Sequence, residues 1–153
     1  MTTIADRLSE LGLALPTLAK PAGAYVPAAI TGNLVYTAGQ LPWVDGKLPL
    51  TGKVGAEVSA DEAHELTRHC VLNALAAVEQ AIGSLDRVTR IVKVVGFVSS
   101  TPDFTGQPGV MNGASELLGE IFGEAGLHAR SAVGVAVLPL DTPVEVELIA
   151  EFA

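Results

Sequence analysis

The sequence predicts an α+β fold, a mixed β-sheet with two helices packed on one of its faces. Three observations predict it. Stretches 59–82 and 110–125 carry apolar residues at three- and four-residue spacing, the mark of helices with one buried stripe. Stretch 89–98 is apolar at most positions, as in a strand covered on both faces. The C-terminal run 128–152 alternates with period two, which sends one set of side chains to each face of a sheet. The order ββ(β)αβαββ then stacks helices on a single layer of strands.

Residues 2–12 read as a short helix. Thr2 or Thr3 caps it, Ile4, Leu8 and Leu11 form its stripe, and Gly12 ends it. Residues 13–24 contain Pro16 and Pro21 without periodicity, so they form a surface connector. Residues 1–22 are accordingly an N-terminal extension and 23–153 the single domain. Residues 25–30 and 34–38 flank Thr31-Gly32-Asn33, a hairpin whose turn residues tolerate positive φ. Residues 43–55 are rich in Gly, Pro and Lys and read as a loop with room for one short edge strand. In 59–82, Ser59 and Glu62 make a capping box. Ala63, Leu66, Cys70, Ala74, Ala77, Val78 and Ala81 form the stripe, and Gly83 is the stop. Strand 89–98 ends at Thr101-Pro102-Asp103. The second helix has Ala114, Leu117, Leu118, Ile121, Phe122 and Ala125 as its stripe and Gly126 as its stop. The run 128–152 is predicted to be two paired strands joined by a tight turn at Leu138-Pro139-Leu140-Asp141-Thr142-Pro143.

Only 17% of the 153 residues are charged, against about 25% in typical domains. That shortage predicts surface covered by a partner, most simply another copy of the chain; a well-packed monomer is the alternative. Net charge is −8 and the nine Lys and Arg are scattered, which argues against nucleic acid and anionic membranes as partners. The single Cys70 excludes an internal disulfide, and with no secretory start or long apolar run the expected location is the cytoplasm.

Arg130 opens the first strand of the run 128–152 and Glu145 lies early in the second, both largely apolar, where charge is costly unless used. With the turn near 140–141, Glu145 lies opposite Ala136 and Arg130 opposite Glu151. The two share a face but stand roughly 20 Å apart along the strands. They could serve one small ligand only across a subunit boundary. The structural alternative for Arg130 is an ion pair with Glu151 or Glu147; for the glutamates it is a solvated strand face.

Ala129-Arg130-Ser131, Leu138-Pro139 and Val144-Glu145-Val146-Glu147 with Ile149-Ala150 resemble the signature of the RidA-type reactive intermediate deaminases. That family is also called the endoribonuclease L-PSP or translation-initiation-inhibitor family. Upstream, Gly23-Ala24-Tyr25-Val26, Gly32-Asn33, Thr37-Ala38-Gly39-Gln40-Leu41-Pro42 and Asn112 fall in register with it. The resemblance spans about residues 23–151. It implies a chorismate-mutase-like subunit, a homotrimer with clefts between subunits, and hydrolysis of enamines and imines such as 2-aminoacrylate to a 2-keto acid and ammonia. It implies no metal and no organic cofactor. Carried over by position, Arg130 holds the substrate carboxylate and Glu145 activates the attacking water. Tyr25 lines the cleft, and Gly39 and Asn112 complete the pocket. Two pocket positions depart from the pattern: Ala132 stands where deaminating members usually carry Cys, and Ala38 where Ser is common. They keep open a second reading, a non-catalytic trimer that binds keto acids or stabilises partner proteins; ribonuclease is a third.

Other candidates are weaker. His64 and His69 are five residues apart on a helix and do not form the i, i+4 pair of a zinc helix. His128 stands near Arg130 and either tunes it or is a turn residue. Trp43 is either an interface anchor or a lid over the cleft.

Overall fold

The computed structural model describes residues 1–18, 20–21 and 23–153; Ala19 and Ala22, within the predicted connector 13–24, lie outside the described residues. Its elements are α1 (Ile4–Glu10), β1 (Ala28–Thr31), β2 (Leu34–Thr37), α2 (Ala60–Ile82), β3 (Val88–Ser99), α3 (Gln107–Phe122), β4 (Ala129–Val135) and β5 (Val144–Phe152). Five strands form one mixed sheet in the order β1-β2-β5-β3-β4. β3 and β4 are parallel and every other pair is antiparallel. The predicted layer of strands under two main helices is the architecture observed, with α1 as a third, shorter helix.

Local chemistry explains most boundaries. Thr3 caps α1 and Ser59 caps α2, each through a reciprocal box with the residue three positions on, Asp6 and Glu62. Gly83 ends α2 at φ 93°. The hairpin β1–β2 turns through Gly32 at φ 57°, but its strands are shorter than 25–30 and 34–38, and Tyr25 lies outside them. The second helix departs from expectation at both ends. It begins at Gln107, with Pro108 in its first turn where a missing N–H does no harm. It stops at Gly123, φ 62°, leaving Ala125 and Gly126 in a 3-10 turn. Loop 43–55 carries only isolated bridges, among them Val54 with Ser100.

α2 and α3 lie together on one sheet face. Val144, Val146, Leu148 and Ala150 of β5 point to them, with Ile91, Val94 and Val98 of β3. Ile91 and Val94 are three apart, yet both face the helices. A β-bulge between Ile91 and Lys93 resets the alternation. Two glycines set how closely the layers approach. A Cβ on Gly96 would strike the Met111 side chain, and one on Gly113 would strike the His64 main-chain carbonyl. The opposite face presents Tyr36, Val95, Phe97, Val133 and Ile149 around Lys93 and Glu147. Among the described residues no helix packs on it, and Tyr36 and Val133 are 41% and 44% exposed.

The C-terminal hairpin is a misreading that the topology corrects. β4 and β5 do not pair, because β3 lies between them. Arg130 is level with Val94 on the helix side, and Glu145 is level with Phe97 on the open side. The two charges therefore stand on opposite faces of the sheet, not on one. The ion pair of Arg130 with Glu151 or Glu147 does not form either; Glu151 accepts from Thr89 and pairs with Arg90.

The α2–α3 crossing gives a direct test of this packing. Gly113→Ala should cost about 1–3 kcal/mol, the usual penalty for overfilling a packed contact. Urea unfolding measures it, and Gly109→Ala, whose Cβ would meet nothing, serves as the control.

Candidate functional site

Strand ends and loops meet around a cavity of about 490 Å³. Its walls include Tyr25, Gly39, Gln40, Trp43, Leu140 and Glu145. β5 supplies Glu145. Just past β2, the Gln40 main chain exchanges bonds of 2.8 and 3.0 Å with Val146, which lays Gly39 against the Glu145 side chain. A Cβ on Gly39 would collide with the Glu145 carboxylate. Close approach, not backbone angle, is therefore what glycine serves at position 39, leaving the Glu145 carboxylate where it lies. Ala38 adjoins the cavity, and its N–H donates to Pro27 O at 2.8 Å, tying β2 to the segment that carries Tyr25. Trp43 belongs to the cavity wall.

Glu145 is half-buried. Burial pushes its carboxyl above the usual range, and the neighbouring charge of Glu147 adds to the shift. A carboxyl so placed exchanges protons nearer neutral pH than an ordinary glutamate, as a general acid–base group needs. Cys70 lies in the core. Burial, with a contribution from Glu145, pushes its thiol well up, so it is an inert packing residue.

The second cluster sits on the helix side, at the sheet edge. Arg130 Nη1 donates to Asn112 Oδ1 at 2.9 Å and to Ser115 Oγ at 3.1 Å, and Nη2 donates to Pro108 O at 3.3 Å. All three acceptors lie on α3. A guanidinium has five N–H donors, so Nε and one hydrogen of Nη2 are left over, enough for a carboxylate fork. Ala132 follows on the same face, level with Gly96. His128 reaches the cluster through Ser115. Its Nδ1 is 2.6 Å from Gly126 O, and its Nε2 is 2.9 Å from Ser115 Oγ. A carbonyl only accepts, so Nδ1 carries the proton of the neutral ring. Ser115 then donates to Nε2 and turns its lone pairs toward Arg130.

The structure thus brings Tyr25, Gly39 and Glu145 together, with Ala38 adjoining, and separately brings Arg130, Asn112 and Ala132 together. It does not join the two sets within one chain. Arg130 and Glu145 are offset by about 10 Å along the strands and about 10 Å across them, on opposite faces. Ser115, Leu140 and Asn73 were not singled out from sequence. Only Asn73 left a signal there, an amide inside an apolar helix stripe.

Among the described residues no group of His, Cys, Asp and Glu is placed to hold a metal ion, and no helix is long and apolar enough to cross a membrane. His64 instead meets Glu65 and Glu116 at 3.4 and 3.5 Å.

Residues 5–152 match the family model described as "YjgF/chorismate_mutase-like, putative endoribonuclease". The chain is 44% identical to Protein TCP17 of Trypanosoma cruzi over 97% of its own length and 93% of that protein's. It is 45% identical to Atu1372 of Agrobacterium tumefaciens, a crystal structure of a protein with unknown function; the two superpose with a TM-score of 0.91, covering 98% of this chain and 92% of that one. It is 35% identical to the 2-iminobutanoate/2-iminopropanoate deaminase of Escherichia coli K12, over 84% of this chain and 87% of that one.

Two variants test the carboxyl's surroundings. Gly39→Ala should displace the Glu145 carboxylate toward water, and its pKa, followed by carbon-detected NMR titration, should fall back toward that of an ordinary glutamate. Glu145→Gln should raise the melting temperature at neutral pH. The folded carboxyl holds its proton more tightly than the unfolded one, so folding takes up a proton. Stability then drops as pH rises from the unfolded value through the raised folded value. The gain from Gln should shrink as pH falls toward about 4; a gain independent of pH would assign it to shape rather than charge.

Proposed function

This chain is a member of the YjgF/chorismate-mutase-like family, and from that premise we propose that it is a hydrolytic deaminase of reactive enamines and imines of the 2-aminoacrylate type. The products are a 2-keto acid and ammonia, and the clefts lie between subunits of a homotrimer. One observation carries the reading: the site is divided. A carboxyl with a raised pKa borders a cavity on one face. A guanidinium with two spare donors stands at the sheet edge on the other. The name of the Escherichia coli relative supports the chemistry, and the partly apolar, unpacked sheet face supports assembly.

The enamine first takes a proton from solvent at its terminal carbon and becomes the iminium; Glu145 gives a proton back to solvent at the end of the cycle. Arg130 of one subunit holds the substrate carboxylate through the two donors it has left. Glu145 of a neighbour takes a proton from water as the oxygen adds to the C=N carbon. The same carboxyl returns the proton to the nitrogen; as the C–N bond breaks, the carboxylate takes the proton of the new hydroxyl, which becomes the carbonyl of the 2-keto acid, and ammonia leaves. Tyr25 and the Gly39 main chain shape the space where water and ligand meet. An iminium is already electrophilic, so a fixed anion and one directed water supply the main requirements. No cofactor takes part. The free thiol of Cys70 suits a reducing cytoplasm.

Ala38 and Ala132 favour a second reading, a trimer that binds keto acids without turning them over, because a hydroxyl and a thiol usual in deaminating members are missing. Net charge −8 with nine scattered basic residues argues against ribonuclease.

The assay generates 2-aminoacrylate from serine with a dehydratase and follows pyruvate release. The protein should accelerate it; an unchanged rate with measurable keto-acid binding would select the binder. Arg130→Ala and Glu145→Ala should each be inactive alone. Mixed and reassembled in equal amounts they should recover about a quarter of the wild-type activity, the share of clefts that draw an intact Arg130 from one subunit and an intact Glu145 from its neighbour. No recovery would count against a shared site.

A further inference from the structure

We propose that the Glu145 cavity selects imines and enamines with a large apolar side chain, branched or aromatic, over the side-chain-poor 2-aminoacrylate. This rests on the deaminase reading and narrows its substrate class. Its volume of about 490 Å³ falls in the range of about 300–1,000 Å³ that accommodates drug-sized ligands. Its lining combines polar groups, Glu145, Gln40 and Lys20, with an apolar wall of Leu41, Trp43, Pro139 and Leu140 and the Tyr25 ring. 2-Aminoacrylate has nothing to set against that wall.

Two structural costs hold the wall in place. The first is Asn73. It is 1% exposed in the middle of α2, and its Nδ2 donates to His69 O on its own helix at 2.8 Å and lies 3.1 Å from Trp43 O and 3.4 Å from Leu41 O. Its Oδ1 meets no donor among the described residues. A buried amide with an unmet acceptor is a poor choice for packing alone; here it fixes the main chain of two wall residues. The second is Leu140, at φ 57° and ψ 20°, a left-handed conformation in which its Cβ crowds the following carbonyl. Neighbours over-determine it. Gly52 N donates to Asp141 O at 2.8 Å, Asp141 N donates to Leu138 O at 3.2 Å, and Lys53 Nζ donates to Ala136 O. The side chain so placed is 63% exposed, so the core gains little from it. Strain of this kind collects at ligand-binding positions, and an aliphatic group held at the cavity wall is suited to an apolar substrate.

The test is calorimetric titration of the intact protein with product keto acids of rising apolar size: pyruvate, 4-methyl-2-oxopentanoate and phenylpyruvate. The two larger acids should bind at least about tenfold more tightly than pyruvate, the discrimination that a few apolar carbons supply in a fitted pocket. Leu140→Gly and Trp43→Ala should each shrink that ratio. Leu140→Gly should also raise the melting temperature, because glycine relieves the left-handed strain. A series of equal affinities, one led by pyruvate, or a ratio unmoved by both variants overturns the proposal and leaves the deaminase reading standing. Absence of binding by all three acids, with no acceleration of imine hydrolysis, overturns both.

Discussion

The β3–α3–β4 crossover is the constraint on which the site depends. Parallel strands cannot be joined by a tight turn, so the chain must travel back over the sheet, and α3 is that path. The crossover places β4 at the sheet edge and leaves the slot on the other side of β3 for β5. It also lays α3 beside β4, where Asn112, Ser115 and the Pro108 carbonyl stand ready to hold Arg130. The guanidinium is thus oriented by the same helix that makes the topology possible. Packing is tight where the helices meet the sheet and each other, at Gly96 and Gly113, so the cluster is built on a rigid base rather than on a loop.

That base has one sheet face covered by helices and the other bare of them. The bare face is not a conventional solvated strand surface. Tyr36, Val95, Phe97, Val133 and Ile149 stand there beside the charged Lys93, Glu145 and Glu147. Within a monomer those side chains would remain in contact with water, each apolar Å² forfeiting about 25 cal/mol of possible burial. Glu145 shares this face, so any copy that covers it also closes over the carboxyl and deepens the desolvation that already raises its pKa.

What was legible in the sequence was what is encoded locally. Ser59 with Glu62, Gly83 and the stripe from Ala63 to Ala81 defined α2 almost to the residue, because capping and periodicity act within a few positions. The layer order followed from the same signals. The hairpin at 128–152 was misread for the opposite reason. Both strands alternate and Pro139–Pro143 reads as a turn, but which strand lies between two others is decided by long-range pairing that leaves no local mark. The consequence was large, since strand neighbours set which side chains share a face. The site was legible as residue types: Arg130, Glu145, Tyr25, Gly39 and Asn112 each occupy one of the two clusters. Its division between faces was not. Ser115 was invisible because a serine on a helix carries no signal of its partners, and Leu140 because nothing in a leucine announces a left-handed backbone.

The molecule's internal costs fall in one region. The raised carboxyl of Glu145, the unmet Oδ1 of Asn73 and the left-handed Leu140 each subtract from stability, and all three border the cavity or hold its wall. The second cluster follows the same logic: two donors of Arg130 are left without acceptors among the described residues although Ser115 and Asn112 fix the group in place. Elsewhere the chain obeys the ordinary rules of capping, packing and pairing. A sequence that departs from those rules mainly around a carboxyl, a guanidinium and an apolar wall is one in which local stability is given up at those places. The same cavity would pack better with Gly at 140 and an apolar residue at 73, and it would then have less with which to hold a substrate.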